Sequence, residues 1–355
     1  MKQQLITSIN SNSPTYFIAD IAANHDGSID RAKKLIRLAA ESGANAAKFQ
    51  HFAAETIVSD RGFRELGGKL THQATWDKSV FEVYKAASLP FEWTEELKST
   101  CDDAGIEFFT APYDLNLIAK VEPFIPVFKI GSGDITWIEA IETMANFGKP
   151  ILLATGASSL DDVKRAVEVL ESRQLKYVLM QCNTNYTAND ENISFLNLKV
   201  LEQYKEMFPN AILGLSDHTS TVISVLGAIA LGARVIEKHF TDDNNSNGPD
   251  HKFSLNPNNW ELMVTKARQL EAALGNGKKI IEENEQLSVI VQRRALRYTR
   301  PITAGETISR IDLIPLRPAP KHGIPPYEID KIVGRKLVEA VEYDQLVEIE
   351  HFNEY

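Results

Sequence analysis

The sequence of 355 residues contains only two cysteines, Cys101 and Cys182, which fall in different predicted elements. They give neither a disulfide framework nor a metal-binding spacing. No apolar run approaches the roughly 20 residues that a membrane-spanning helix needs. The first residues also lack the apolar segment of a signal peptide. We therefore expect a cytoplasmic enzyme.

The chain also lacks an excess of positive charge, because 38 lysines and arginines stand against 48 acidic residues, for a net charge of -10. This balance argues against binding of nucleic acid or of anionic membrane surfaces. A protein this acidic that binds an anionic substrate has to concentrate its cations in a defined place.

A glycine-rich dinucleotide loop is missing as well, since "ADIAANHDGS" after the first predicted strand does not fit G-x-G-x-x-G. Eight short apolar runs are each followed by an amphipathic helical pattern, which is the count of a closed barrel. We predict an α/β fold, a (β/α)8 TIM barrel, in preference to an open doubly wound sheet. The predicted strands are 16–21, 45–50, 106–109, 126–130, 150–154, 177–181, 211–214 and 235–239.

The pattern changes near residue 275. Residues 1–275 are predicted to form the catalytic barrel, and residues 276–290 a linker. Residues 291–355 show short strand-like pieces separated by proline and glycine turns, which predicts a small β-rich domain.

Two lysines stand inside apolar strands, Lys48 in "AAKFQ" and Lys129 in "VFKIGSGD". The C-terminal ends of barrel strands carry the active site, and both lysines lie there. An unpaired buried ammonium costs several kcal/mol, so each lysine needs a partner. We favour a site for a phosphate or carboxylate between the two ammonium groups. A structural ion pair and a Schiff-base lysine are the alternatives.

His218 and His239 end the predicted seventh and eighth strands, which are neighbours in a barrel. With Asp217, Glu237 and Asp250 nearby, the pair predicts a divalent metal site of the Mn²⁺ or Fe²⁺ kind. Side chains alternate along a strand, so Glu237 and His239 face the barrel mouth together. Lys238 between them is expected to point outward or to a neighbouring carboxylate.

An ordered series of motifs resembles the sialic acid synthase family, the nonulosonic acid synthases that condense phosphoenolpyruvate with an N-acylated sugar. The C-terminal region resembles the antifreeze-like (SAF, β-clip) domain fused to those synthases. One departure is Asp20, where glutamate is usual. The motifs are "AANHDGS", "AAKFQ", "FFTAPYD", "FKIGSGD", "LATGAS", "GLSDHT", "EKHFT" and "GPDHKFSL".

The resemblance implies a transferase that cleaves the C–O bond of phosphoenolpyruvate and forms a nine-carbon 2-keto acid plus phosphate. The implied cofactor is Mn²⁺, Mg²⁺ or another divalent metal. The implied sugar is N-acetylmannosamine or a di-N-acyl-6-deoxyhexose, and the implied assembly is a domain-swapped homodimer. A phosphorylated or different sugar, or a non-catalytic glycan-binding scaffold, is the alternative.

The same resemblance assigns roles to individual residues. His218 and His239 are the implied metal ligands, and Asp20 and Glu237 are implied beside the reacting carbon as stabiliser or base. The catalytic set is completed by Lys48 and Lys129. Thr110 and Ser132 are the implied binding residues for phosphoenolpyruvate. Arg317 is implied to reach the N-acyl group from the partner subunit. The other implied residues of the substrate cleft are Gln50, Asn185 (or Asn183), Tyr186, Ser216 and Asp250.

Overall fold

The computed structural model describes residues 5–66, 73–74, 76–186 and 190–352. The chain divides into two compact units, Met1–Gly275 and Asn276–Tyr355. Within the described ranges, no helix combines the length and the apolar character that crossing a membrane requires.

Eight parallel strands form one sheet in the first unit, in the order β3-β2-β1-β8-β7-β6-β5-β4. β1 pairs with both β2 and β8, and the two terminal strands of this order, β3 and β4, lie side by side, so the sheet closes and the predicted barrel is confirmed. Between β3 and β4 the described residues form no hydrogen-bonded ladder, although the two strands lie side by side. The strands are β1 Tyr16–Asp20, β2 Ala46–His51, β3 Glu107–Pro112, β4 Phe128–Ile130, β5 Ile151–Ala154, β6 Tyr177–Cys182, β7 Ile212–Asp217 and β8 Val235–His239.

Helices follow every strand, and their sequences explain how they dock. In the first helix, Ser28 caps the N-terminus by accepting a hydrogen bond from the Arg31 amide. The apolar face of this helix is buried at the i, i+3, i+4, i+7 spacing of an amphipathic helix. The helices are α1 Ile29–Glu41, α2 Ala54–Ile57, α3 Asp60–Glu65, α4 Val80–Ala87, α5 Thr94–Ala104, α6 Leu115–Val121, α7 Ile138–Ala145, α8 Leu160–Ser172, α9 Val200–Met207, α10 Ile223–Ala230 and α11 Pro257–Leu274.

The barrel strands bury polar side chains only toward their C-terminal ends. In β8, for example, Val235 and Ile236 are followed by Glu237, Lys238 and His239, and all five are buried. Parallel strands bring all their C-terminal ends to the same rim. The polar residues therefore collect at one end of an otherwise apolar barrel.

The second unit has its own small core, which includes Leu296, Tyr298 and Val347. Its elements are α12 Gln286–Gln292, β9 Ala295–Tyr298, β10 Leu313–Leu316 and α13 Ile329–Ile332. β9 and β10 pair antiparallel. The segment 346–352 contributes single bridges, such as Arg297 with Leu346.

Candidate active site

A cavity of about 430 Å³ opens at the C-terminal ends of the barrel strands. Most of the residues predicted for the site line this cavity. They are Asp20, Lys48, Gln50, Lys129, Ser132, Tyr186, Ser216, His218, Glu237, His239 and Asp250.

Three predicted residues do not line it. Thr110 is fully buried, and its hydroxyl lies 2.8 Å from Nδ1 of His51, on the face of the sheet turned away from the cavity. Asn185 lies in the segment after β6, where its side-chain oxygen accepts a hydrogen bond from Asn192. Arg317 belongs to the second unit, so its role toward a partner subunit stays a prediction.

The centre of the cavity is a cluster of two lysines and two carboxylates. Nζ of Lys48 lies 2.7 Å from Oδ2 of Asp20 and 3.7 Å from Oε2 of Glu237. Nζ of Lys129 lies 3.5 Å from Oε1 of Glu237, which also accepts a hydrogen bond from Ser216. Each lysine therefore has the ion-pair partner that its burial demands, and each still faces the cavity.

The surroundings shift the pKa values of the carboxyl groups of Asp20 and Glu237 in opposite directions. Burial raises the pKa of Asp20 above its ordinary value, although Lys48 opposes the shift. Burial acts in the same direction on Glu237, but Lys129 and Lys48 together hold the pKa of that carboxyl below its ordinary value. Opposite shifts of neighbouring carboxyl groups are typical of sites that use one as a proton carrier and the other as a fixed negative charge.

The two histidines predicted as metal ligands face each other, with ring centroids 5.3 Å apart. Nδ1 of His218 lies 3.1 Å from the Asn183 carbonyl oxygen. Because a carbonyl oxygen can only accept a hydrogen bond, Nδ1 carries the proton in the neutral form of the ring, and the lone pair lies on Nε2. Nδ1 of His239 is buried and has no hydrogen-bond partner among the described residues. Burial and then the positive groups nearby hold the pKa of His239 well below its ordinary value, so this ring is neutral.

These features fit a divalent ion bound through two imidazoles. A metal–nitrogen bond is about 2.1 Å long, and both facing rings can place a nitrogen at that distance from one ion. In the described ranges, no three side chains of His, Cys, Asp or Glu are grouped to hold an ion. An ion held by the two imidazoles would therefore complete its coordination with oxygen atoms of substrate and water.

Several cavity residues were not predicted from the sequence. Tyr113 follows β3 and lines the cavity. A Cβ atom on Gly131 would lie 2.8 Å from the Tyr113 hydroxyl, so a larger residue at this position would displace the tyrosine. Burial raises the pKa of Tyr113 well above its ordinary value, so the hydroxyl stays a donor. Its motif "FFTAPYD" was the available signal.

One wall of the cavity is apolar and comes from the long connection between β2 and β3. Trp76, Val83 and Tyr84 belong to this wall, and Phe52 packs on Tyr84 with ring centroids 5.5 Å apart. No pattern in the sequence marks these residues as part of a site. The cavity therefore has a charged floor at the strand ends and an apolar wall beside it.

Comparison with known proteins gives a consistent result along the chain. The NeuB family model matches residues 35–279, and the SAF domain model matches residues 293–353. An N,N'-diacetyllegionaminic acid synthase of Campylobacter jejuni is 34% identical, over 94% of this chain and 98% of that protein. An N-acetylneuraminate-9-phosphate synthase of Mus musculus is 30% identical, over 96% of this chain and 93% of that protein. The crystal structure of an N-acetylneuraminic acid synthetase from Leptospira borgpetersenii in complex with citrate shares 28% identity at a TM-score of 0.68, covering 78% of this chain and 91% of that chain.

Proposed function

Since this chain belongs to the NeuB family, we propose that it condenses phosphoenolpyruvate with an unphosphorylated N-acylated sugar, giving a nonulosonic acid and phosphate. The names of its relatives support the coarser statement that it is an enzyme of the sialic acid synthase kind. The observation that carries the finer proposal is the cavity itself. Two buried ammonium groups and a facing pair of imidazoles meet there.

Phosphoenolpyruvate suits the charged floor of the cavity. It carries a phosphate and a carboxylate, and both anions need cations to replace their water. Lys48 and Lys129 supply those cations in a protein whose net charge is -10. Ser132 adds a hydroxyl, whose oxygen accepts a hydrogen bond from the Gly156 amide at 2.9 Å and is held in place by it.

The sugar is proposed to be unphosphorylated because the described lining of the cavity contains no arginine and no lysine beyond Lys48 and Lys129. A second phosphate would need its own basic cluster. The apolar wall instead suits the methyl group of an N-acyl substituent. N-acetylmannosamine and a di-N-acyl-6-deoxyhexose both meet these requirements.

In the proposed reaction, C3 of phosphoenolpyruvate attacks the aldehyde carbon of the open-chain sugar and leaves positive charge at C2. Water adds at C2 after losing a proton, and the aldehyde oxygen takes up a proton to become a hydroxyl group. The tetrahedral carbon then expels phosphate by breaking its C–O bond, while its own hydroxyl gives its proton to the departing phosphate and becomes the keto group. Glu237, which is held ionised by the two lysines, stabilises the positive charge at C2. Asp20, with its raised pKa, takes the proton from the attacking water.

His218 and His239 would hold the divalent ion. When bound, this ion acts as a Lewis acid on the aldehyde oxygen of the sugar. Tyr186 packs against the His218 ring at a centroid distance of 4.3 Å and fixes its orientation. Asp250 accepts a hydrogen bond from the Ala23 amide and places a carboxyl group at the cavity edge for sugar hydroxyls.

The proposal is tested by measuring phosphate release from phosphoenolpyruvate with Mn²⁺ across a panel of N-acyl sugars, with and without EDTA. Release that depends on one sugar and disappears with EDTA supports the proposal and identifies the substrate. Phosphoenolpyruvate labelled with ¹⁸O at the bridging position should transfer the label to phosphate. Label that stays in the keto acid would contradict C–O cleavage. A protein that binds these sugars but releases no phosphate with any of them would instead be a glycan-binding scaffold.

The Tyr113→Phe variant is expected to lower kcat/KM by about 10-fold to 100-fold, because a hydrogen bond to a charged group contributes about 1.5–3 kcal/mol. The ring and its packing against Phe52 remain, so the melting temperature should stay unchanged. Steady-state kinetics with each substrate varied would show which one the hydroxyl contacts. The control is Tyr177→Phe, whose buried hydroxyl donates to Glu171 outside the cavity. Equal kcat/KM values for the Tyr113→Phe variant and wild type would remove Tyr113 from the site.

Arg317→Ala tests the proposed swapped homodimer. If Arg317 of one subunit holds the N-acyl group in the other, the variant should raise KM for the sugar about 10-fold or more and leave KM for phosphoenolpyruvate unchanged. Mixing the Arg317→Ala variant with an inactive barrel variant should yield mixed dimers with one intact site. A monomer in sedimentation, or an unchanged KM for the sugar, would rule out this arrangement.

A further inference from the structure

One buried lysine at the strand ends takes no part in the proposed reaction. Lys238 on β8 is 1% exposed and points away from the cavity, as the alternation of the strand predicts. Its Nζ donates to Oδ2 of Asp217 at 2.5 Å, to the Thr219 carbonyl oxygen at 2.6 Å and to the Thr221 carbonyl oxygen at 3.2 Å. These three bonds use all three protons of the ammonium group.

The carboxylate of Asp217 is just as fully engaged. Besides Lys238, it accepts hydrogen bonds from the Thr219 amide at 2.9 Å, the Thr219 hydroxyl at 3.2 Å and the Ser224 hydroxyl at 2.5 Å. Asp217 and Lys238 are also direct partners in the register of β7 and β8. The pair therefore ties the segment after β7 to the neighbouring strand.

This segment carries His218. We propose that Asp217 and Lys238 are positioning residues that hold His218 opposite His239, so that both imidazoles reach the same divalent ion. The residues on both sides of His218 in the chain, Asp217 and Thr219, are fixed by the ammonium group of Lys238. Groups that orient a metal ligand without touching the metal often change metal affinity 10-fold to 100-fold.

A purely structural role for the pair is the competing explanation, and it predicts that a folded variant without the pair keeps its metal affinity. Replacing both members of a buried ion pair with apolar residues of similar size is often neutral for stability. The double variant Lys238→Met with Asp217→Leu should therefore fold. It no longer fixes the Thr219 and Thr221 carbonyl groups, so the histidine loses its anchor.

The experiment is Mn²⁺ titration of the full chain by calorimetry, with phosphoenolpyruvate binding measured in parallel. The double variant is expected to raise the Kd for Mn²⁺ about 10-fold to 100-fold. Its Kd for phosphoenolpyruvate should stay at the wild-type value, because Lys48 and Lys129 are untouched. A folded double variant with wild-type Mn²⁺ affinity would overturn the positioning role.

The chain provides a matched control at the opposite end of the barrel. Nζ of Lys149 also contacts one carboxylate, that of Glu122 at 2.7 Å, and two carbonyl oxygens, those of Glu122 and Ile125. The Lys149→Met and Glu122→Leu pair should leave Mn²⁺ affinity unchanged. If the first double variant does not fold, Asp217→Asn keeps the shape of the side chain, removes its charge and replaces one acceptor oxygen with a donor. It should raise the Kd for Mn²⁺ in the same direction, and an unchanged Kd would overturn the inference.

This inference rests on the proposed function only for the identity of the ion. If the wild-type chain binds no Mn²⁺, the metal part of the proposed function fails. The positioning role is then decided by a crystal structure of the double variant. A His218 ring displaced by about 1 Å or more supports the role, since such a shift is enough to impair a site. A ring that has not moved overturns it.

Discussion

The His239→Ala variant should lose Mn²⁺ binding and at least about 1,000-fold in turnover, which corresponds to about 4 kcal/mol of activation free energy. His239 presents a buried, neutral ring whose Nδ1 has no hydrogen-bond partner among the described residues. Alanine offers no nitrogen, and a single remaining imidazole cannot hold a divalent ion tightly. The measurement is phosphate release together with Mn²⁺ titration of the variant and of wild type.

Two comparisons make the His239→Ala result specific. EDTA should inactivate the wild type to the same degree, and added Mn²⁺ should restore the wild type but not the variant. His322→Ala provides the control, because this histidine is exposed in the second unit and should keep full Mn²⁺ affinity. A His239→Ala variant that retains turnover insensitive to EDTA would show that the reaction does not need this metal site.

The Lys48→Met variant should have the second-largest effect, a loss of about 1,000-fold in kcat/KM for phosphoenolpyruvate. Its ammonium group lies 2.7 Å from Asp20 and 3.7 Å from Glu237, so its removal takes away a cation for the substrate. It also leaves two buried carboxylates facing each other. Breaking a buried ion pair on one side costs about 3–5 kcal/mol of stability, so the melting temperature should fall as well.

The two consequences of Lys48→Met can be separated by a second substitution. Adding Asp20→Asn to Lys48→Met removes one of the unpaired charges and should recover most of the stability, while catalysis stays lost. Lys129→Met should lose less than Lys48→Met, about 100-fold, because Lys129 contacts only Glu237 of the two carboxylates. Recovery of activity in the double variant would mean that Lys48 serves only to neutralise Asp20.

The barrel and the centre of the site could be predicted because both depend on local patterns. Short apolar runs of three to six residues define the strands, and the lysines and histidines stand out within them. In a barrel, the C-terminal ends of all strands meet at one rim, so Lys48 and His239 are brought together although 190 residues separate them in the chain. This placement follows from the barrel fold alone, without knowledge of how the side chains pack.

Thr110 shows what such patterns cannot supply. The register pairs Phe49 of β2 with Thr110 of β3, so Thr110 shares the face of Phe49 and turns away from Lys48 and Gln50. A shift of one residue along a strand exchanges its two faces. The sequence identifies the strand but does not fix which of its faces lines the cavity.

The apolar wall was missed for a different reason. Trp76 and Tyr84 lie in the connection between β2 and β3, whose course depends on tertiary contacts such as the packing of Tyr84 on Phe52. Tyr113 likewise depends on a close approach to Gly131 on another strand connection. These contacts join segments with no shared periodicity, so no pattern in the chain predicts them.

The gap between β3 and β4 has a consequence for the mechanics of the mouth. Neighbouring strands are joined by ladders everywhere else around the barrel, and these two only lie side by side. Lys48 on β2 and Lys129 on β4 stand on opposite sides of this seam. An anion bound by both ammonium groups would connect the two sides of the barrel across this seam. The rigidity of the rim would then come partly from the bound substrate. An inhibitor that contacts only one of the two lysines would leave β3 and β4 unconnected.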